Sequence, residues 1–390
     1  MKFIFVSLAA LFVLYSFAEE PAYRRGVNIA GAEFGGSGGT INKEYTYNNE
    51  ATFKYFGEKG FNVLRVPIKW ERIQPALNGP LDPENLKHLK ENIVWAKKYG
   101  STVLIDLHNY CRYGPMIDGK RKGCLIDAEV DGEIRVKAAD LADVWEKLSK
   151  EFKNEPGVYG YGLMNEPNGM GKSDWKAISN VAIKGIRDSG DTKLILVAGD
   201  SWSSAERWEK VNGPKSWVVD PANNFIYEAH CYFDRDASGS YKKTYEEELK
   251  GDPKLPERGS KRVKPFIEWC KANNVKGFLG EFAVADTDPR WMEVLEGFMK
   301  ELDSAGFGGT YWAAGTYWGK YPLSAQPTDK YTKDRPQVEV LVKHLSPASA
   351  VAAVPAVPVT PAAPAAPAVA PESIPAFVTS ARSGAAVLVN

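Results

Sequence analysis

An excess of charge of either sign is missing from this chain: Lys and Arg number 49, Asp and Glu 49, and the formal net charge is zero. Proteins that hold nucleic acid carry a basic surplus, so the balance argues against a nucleic-acid polyanion as partner and fits an uncharged ligand. Histidine is scarce, at four residues, and none is spaced as His-x-x-x-His or His-Glu-x-x-His, which removes the common zinc signatures. Gly35-Gly36-Ser37-Gly38-Gly39 lacks the Lys-Ser/Thr ending and the acidic partner of a phosphate loop. It reads instead as a flexible loop. Asn-x-Ser/Thr is absent, so no N-linked glycan is expected.

Long apolar runs are absent too, except at the start. Lys2 is followed by an apolar stretch from Phe3 to Tyr15 and then by Ser16-Phe17-Ala18. A basic start, a core too short to span a bilayer and small residues at the cleavage positions describe a secretory signal peptide over 1–18. The rival reading is a buried N-terminal helix. Export implies a secreted, extracellular protein that does not stay in a membrane, with its mature chain beginning near Glu19. From Ser346 the composition changes, and Pro347 to Pro375 is a Pro/Ala/Val tract without aromatic residues. Such a tract builds no core, so 346–390 reads as a linker or tail dispensable for activity.

Between these ends, 19–345 reads as one domain. Short apolar or β-branched runs alternate with amphipathic stretches. The runs are Gly26–Ala30, Val63–Ile68, Thr102–Leu107, Val158–Met164, Leu194–Ala198, Phe225–Ala229, Gly277–Gly280 and Gly309–Trp312. Helical patterns cover Asp82–Tyr99, Ile134–Glu151, Ser173–Ser189, Arg262–Asn273 and Arg290–Ala305, with Asp82 and Ser173 as caps and Asn274 or Gly306 as stops. Eight such strands predict an α/β fold: a single closed (β/α)8 barrel of the TIM type, with a doubly wound open sheet as the rival.

In a barrel of this kind the chemistry sits at the C-terminal strand tips. Those tips carry Arg65, His108, Asn165-Glu166, His230 with Tyr232, Glu281 and Trp312. Each has a bland reading: a salt bridge for Arg65, satisfied core rings for the histidines, filling for the tryptophans. Their coincidence at six tips favours chemistry. Glu166 and Glu281 close two apolar runs 115 residues apart, which suits an acid and a nucleophile facing each other across a cleft, as cleavage of a glycosidic bond requires. The 11 Trp and 18 Tyr supply aromatic faces for sugar rings.

The ordered set Gly26-Val27-Asn28-Ile29-Ala30-Gly31, Asn62-Val63-Leu64-Arg65-Val66-Pro67, His108-Asn109-Tyr110-Cys111-Arg112-Tyr113-Gly114, Gly162-Leu163-Met164-Asn165-Glu166-Pro167, His230-Cys231-Tyr232-Phe233-Asp234 and Gly280-Glu281-Phe282 resembles glycoside hydrolase family 5, and within it the endo-β-1,4-glucanases. The resemblance covers Arg24 to Leu345. It implies a retaining hydrolysis with Glu166 as acid/base and Glu281 as nucleophile, Arg65 and Tyr232 beside Glu281, and His230 beside Glu166. It further implies sugar contacts from Asn165, His108 and Trp312, with Trp202 and Trp318 at neighbouring subsites. No metal or organic cofactor is implied; the expected partner is β-glucan and the expected state a monomer. A β-mannanase or xyloglucanase activity, or a non-catalytic glycan-binding role, remains as an alternative.

The four cysteines are an even number for an oxidising compartment. Cys111 and Cys124 share the loop after the third strand and are expected to form a disulfide. Cys231 and Cys270, on a strand and a distant helix, are expected to stay free.

Overall fold

The structure, a computed structural model, describes residues 23–345; the expected signal peptide (1–18) and the Pro/Ala-rich tail (346–390) lie outside the described residues. Eight parallel strands close a barrel: β1 (Arg25–Ile29), β2 (Val63–Ile68), β3 (Thr102–Leu107), β4 (Val158–Gly162), β5 (Leu194–Ala198), β6 (Phe225–Tyr232), β7 (Gly277–Ala283) and β8 (Gly308–Ala314). β1 pairs with both β2 and β8, so the rival open sheet is excluded. All eight strands are buried nearly throughout, as expected of a parallel sheet covered by helices on one side and filled by side chains on the other.

The outer helices are α1 (Glu50–Glu58), α2 (Pro83–Lys98), α3 (Ala138–Phe152), α4 (Trp175–Asp188), α5 (Trp208–Asn212), α6 (Arg258–Ala272), α7 (Arg290–Ala305) and α8 (Pro336–Leu341). Asp82 caps α2 by accepting from the Asn85 amide, and Pro83 occupies the first turn, where its missing N–H costs nothing. Gly306 ends α7 at φ 66°, the left-handed conformation that lacks a Cβ penalty only in glycine. Two expectations shift. Asp174, not Ser173, caps α4, because its carboxylate reaches the Lys176 and Ala177 amides. Ile134 belongs to a two-residue hairpin strand, and α3 starts only at Ala138.

β6 and β7 outrun their predicted ends, Ala229 and Gly280, by three residues each. The added residues carry His230, Tyr232 and Glu281, polar groups that pair with one another inside the barrel; tertiary pairing overrides their local polarity. Period-2 alternation on β6 turns Ile226, Glu228, His230 and Tyr232 to one face. Val63, Leu104, Leu194, Leu196, Ile226 and Phe278 form a cluster of their own that floors the barrel interior. Strict alternation from Phe278 would turn Glu281 outward. A bulge prevents this: Ala229 pairs with Leu279 and His230 with Glu281, so Gly280 is the extra residue that brings Glu281 inward.

Two loops depart from their expected behaviour. The Gly-rich loop after β1 is pinned, because the Arg72 guanidinium donates to the carbonyls of Ala32 (2.5 Å), Phe34, Gly36 (3.1 Å) and Gly38 (3.0 Å). The expected Cys111–Cys124 disulfide is not formed, and both of these cysteines are buried thiols. The hairpin register explains it. Cys124 stands opposite Tyr113, while the Cys111 carbonyl accepts from Ile126, so the two thiols are out of step. Burial pushes both thiols above their ordinary value, as it does Cys270.

Candidate active site

The strand tips converge on one buried guanidinium. Arg65, on β2, is fully buried, and its Nη1 donates to Asn28 Oδ1 (2.8 Å) and Glu281 Oε1 (3.2 Å). Nη2 donates to Asn165 Oδ1 (2.8 Å) and forms ion pairs with Asp106 and Glu228, each at 3.0 Å. Burial opposes the charge, but Asp106, Glu228 and Glu281 outweigh it and hold Arg65 above its ordinary value. One cation thus ties together β1, β2, β3, β4, β6 and β7.

Glu281 Oε2 accepts from the Tyr232 hydroxyl at 2.7 Å. Burial first, then the Glu281 charge, keeps that phenol well above its ordinary value, so it remains a donor. Glu166 follows Asn165 with φ 44°, and its Oε1 accepts from His230 Nδ1 at 2.7 Å. His230 Nδ1 lies 3.5 Å from Glu281 Oε2, and its Nε2 lies 3.3 Å from Glu228 Oε1. Burial disfavours a charged ring, yet Glu281, Glu166 and Glu228 together raise His230 to about 9. A carboxylate oxygen of each of Glu166 and Glu281 and a ring nitrogen of His230 all lie within 4.8 Å of one another. The three groups are close enough to pass a proton among themselves.

His108 is neutral by contrast, because burial lowers it well below its ordinary value. Its Nδ1 donates to Asp106 Oδ2 (2.8 Å), and its Nε2 accepts from Asn165 Nδ2 (3.2 Å). Asn165 is therefore oriented from both ends of its amide. Trp312 stacks on His108 at 5.5 Å and 21°, and the Trp312–Ala313 peptide is cis. Trp318 packs edge-on to Trp312 at 6.1 Å and stacks on Tyr321. Trp202 follows β5. Its amide donates to the Pro167 carbonyl beside Glu166, and it lines a cleft of about 450 Å³ with Glu206, Arg207, Arg235 and Ser238. Ten of the expected site residues are thus placed around one barrel mouth; Cys111 and Cys124 stand in the hairpin beside it without a bridge.

Sequence reasoning missed Asn28, Asp106, Glu228 and Tyr110. Asn28 Nδ2 donates to the Gly280 carbonyl (2.9 Å), and the Tyr110 hydroxyl reaches His108 Nε2 (3.3 Å). A signal for two of them was present: Asp106 and Glu228 are lone acids inside apolar strands, each two residues before a tip histidine and so on the same face. Burial pushes the Asp106 carboxyl up, only partly offset by Arg65. Glu228 feels the same burial but is held below its ordinary value by Arg65 and His230.

A parallel barrel with two carboxyl groups facing each other at one end is the frame of a glycoside hydrolase. The chain belongs to the cellulase family, glycosyl hydrolase family 5, whose model it matches over residues 23–317. It is 30% identical over 309 residues to endo-beta-1,4-glucanase B of Emericella nidulans, spanning 78% of this chain and 86% of that protein. Pseudomonas stutzeri endoglucanase Cel5A in complex with cellobiose is 36% identical with a TM-score of 0.73, covering 83% of this chain and 92% of that one. XacCel5A in complex with cellopentaose is 37% identical with a TM-score of 0.72, covering 83% and 99%.

Proposed function

We propose that this glycoside hydrolase is a secreted, monomeric endo-β-1,4-glucanase that cleaves internal bonds of cellulose or mixed-linkage β-glucan with retention. The observation that carries the mechanism is the approach of Glu166 and Glu281 oxygens to within 4.8 Å. Retention needs carboxyl groups ~5–5.5 Å apart, whereas inversion needs ~6.5–9.5 Å to admit a water. In the first step a Glu281 oxygen bonds to the anomeric carbon, the bond from that carbon to the glycosidic oxygen breaks, and the glycosidic oxygen of the departing chain takes the Glu166 proton. In the second, water gives a proton to Glu166, its oxygen bonds to the anomeric carbon and Glu281 leaves as a carboxylate.

The neighbours have matching tasks. Arg65 and Tyr232 each hold one oxygen of Glu281 and so fix the carboxyl group toward the anomeric carbon. Asn165, fixed by Arg65 and His108, presents its amide to the sugar 2-hydroxyl, and Trp312 offers a face to the ring. Trp202, after β5, and Trp318, after β8, serve as platforms for further sugars. The glucan preference rests on the relatives, named endo-β-1,4-glucanases or found with cellobiose and cellopentaose.

Release of reducing ends from carboxymethyl-cellulose, mixed-linkage β-glucan, xyloglucan and mannan, assayed in parallel, tests this reading. Turnover of the first two with β-configured initial products is expected. Preference for mannan or xyloglucan moves the activity elsewhere in the family, and binding without cleavage makes the chain a glycan-binding protein.

A further inference from the structure

Glu228 takes no part in the reaction as written, yet it is placed with unusual constraint. It is a buried carboxylate lying 3.0 Å from Arg65 Nη2 and 3.3 Å from His230 Nε2. The strand beside it has been shaped to admit it. A Cβ at Gly280 would lie 1.8 Å from Glu228 Oε1, 2.6 Å from its Cδ and 2.9 Å from its Cγ, so the glycine before Glu281 leaves room for this one side chain. The bulge that turns Glu281 inward is centred on the same glycine.

The chemistry of an imidazole between two carboxylates gives Glu228 its task. A neutral ring carries one proton, and a carboxylate facing Nε2 repels a lone pair there, so that proton sits on Nε2. Nδ1 then faces Glu166 at 2.7 Å with either a second proton or a lone pair. We propose that Glu228 is a positioning residue: it keeps Nε2 of His230 protonated, so that Nδ1 and Glu166 share the single proton the leaving group receives. With the proton on Glu166, Nδ1 accepts and the acid is poised; with the proton on Nδ1, Glu166 is ionised and ready to take one from water. The other charged or titratable groups acting on this ring are Glu281 on β7, and Asp106 and His108 at β3; Arg65 on β2 reaches it through its pairs with Glu228 and Glu281. None of these is within hydrogen-bond reach of Nε2 among the described contacts, which leaves that side to Glu228.

The inference rests on Glu166 being the acid, and the test separates the two ideas. Glu228→Gln is compared with wild type by ¹⁵N NMR of the imidazole, with His230→Asn to assign the signals, and by kcat/KM on β-glucan and on a dinitrophenyl cellobioside. The first substrate needs leaving-group protonation; the second does not. Expected are a His230 titration at least about one pH unit lower in the variant and a loss of roughly tenfold or more on glucan, with less than about threefold on the aryl glycoside. An unchanged His230 titration, or equal losses on both substrates, overturns the proposal and leaves Glu228 a packing residue. If wild type cleaves neither substrate, the hydrolase assignment of Glu166 fails, while the NMR titration still decides what Glu228 does to the ring.

Discussion

Replacing Gly280 by alanine puts a methyl group where Glu228 now is. The new carbon would lie 1.8 Å from Oε1 and under 3 Å from Cδ and Cγ, against an ordinary contact of 3.4 Å or more. A flexible surface carboxylate would swing aside at little cost. This one is buried, and moving it forfeits the contacts at 3.0 Å to Arg65 and 3.3 Å to His230. Breaking a buried ion pair costs ~3–5 kcal/mol, since the partner charge stays behind without its counterpart. Gly280→Ala is therefore expected to lose about 3 kcal/mol of unfolding free energy in urea. In a Glu228→Ala background the three obstructing atoms are gone, and the same change should cost less than about 1 kcal/mol, leaving a coupling energy of roughly 2–3 kcal/mol in the double-mutant cycle. Equal cost in both backgrounds would refute the reasoning, as would a loss below about 1 kcal/mol in the wild-type background.

Glu281→Ala should lower turnover of β-glucan on the order of 10⁴-fold or more with an unchanged far-ultraviolet circular dichroism spectrum; retained activity removes it as nucleophile. The folded protein holds the His230 proton more tightly than the unfolded chain does, to about 9. The resulting stabilisation, at most roughly 3 kcal/mol, is complete below the unfolded value of about 6.5 and is lost as pH rises through about 9. The stability gap between wild type and His230→Asn, followed by urea unfolding from pH 6 to 9.5, should narrow accordingly, and a pH-independent gap contradicts it. Thiol titration of denatured, unreduced protein should find Cys111 and Cys124 among the reactive thiols, with both labelled in a peptide digest; their absence from the labelled set would restore the Cys111–Cys124 bridge.

The barrel was legible because each strand is a short apolar run between turn residues, and because eight of them fit one closed sheet. The proposed acid and nucleophile could be picked out because Asn165-Glu166-Pro167 and Gly280-Glu281 end such runs. What escaped was whatever depends on two strands at once. No local pattern shows that Gly280 is a bulge, since only the offset against Ala229 and His230 defines it. Asp106 and Glu228 read locally as interruptions of hydrophobic strands; they make sense only beside Arg65. Cys111 and Cys124 share a loop, but a hairpin register that matches Tyr113 to Cys124 decides their separation, and spacing along the chain does not carry register.

The hold of Arg72 on the first loop bears on how this protein can be varied. Its partners there are the main-chain carbonyls of Ala32, Phe34, Gly36 and Gly38. A carbonyl belongs to every amino acid, so the path of this segment is specified almost independently of the side chains it displays. Substitution at its outward positions can change what the loop presents to a passing polysaccharide without redrawing the loop itself. Libraries aimed at altered chain preference are best built on 36–38 with Arg72, Phe34 and the left-handed Gly35 (φ 70°) left untouched, because the same diversity on a loop held by its own side chains would first have to rediscover a shape.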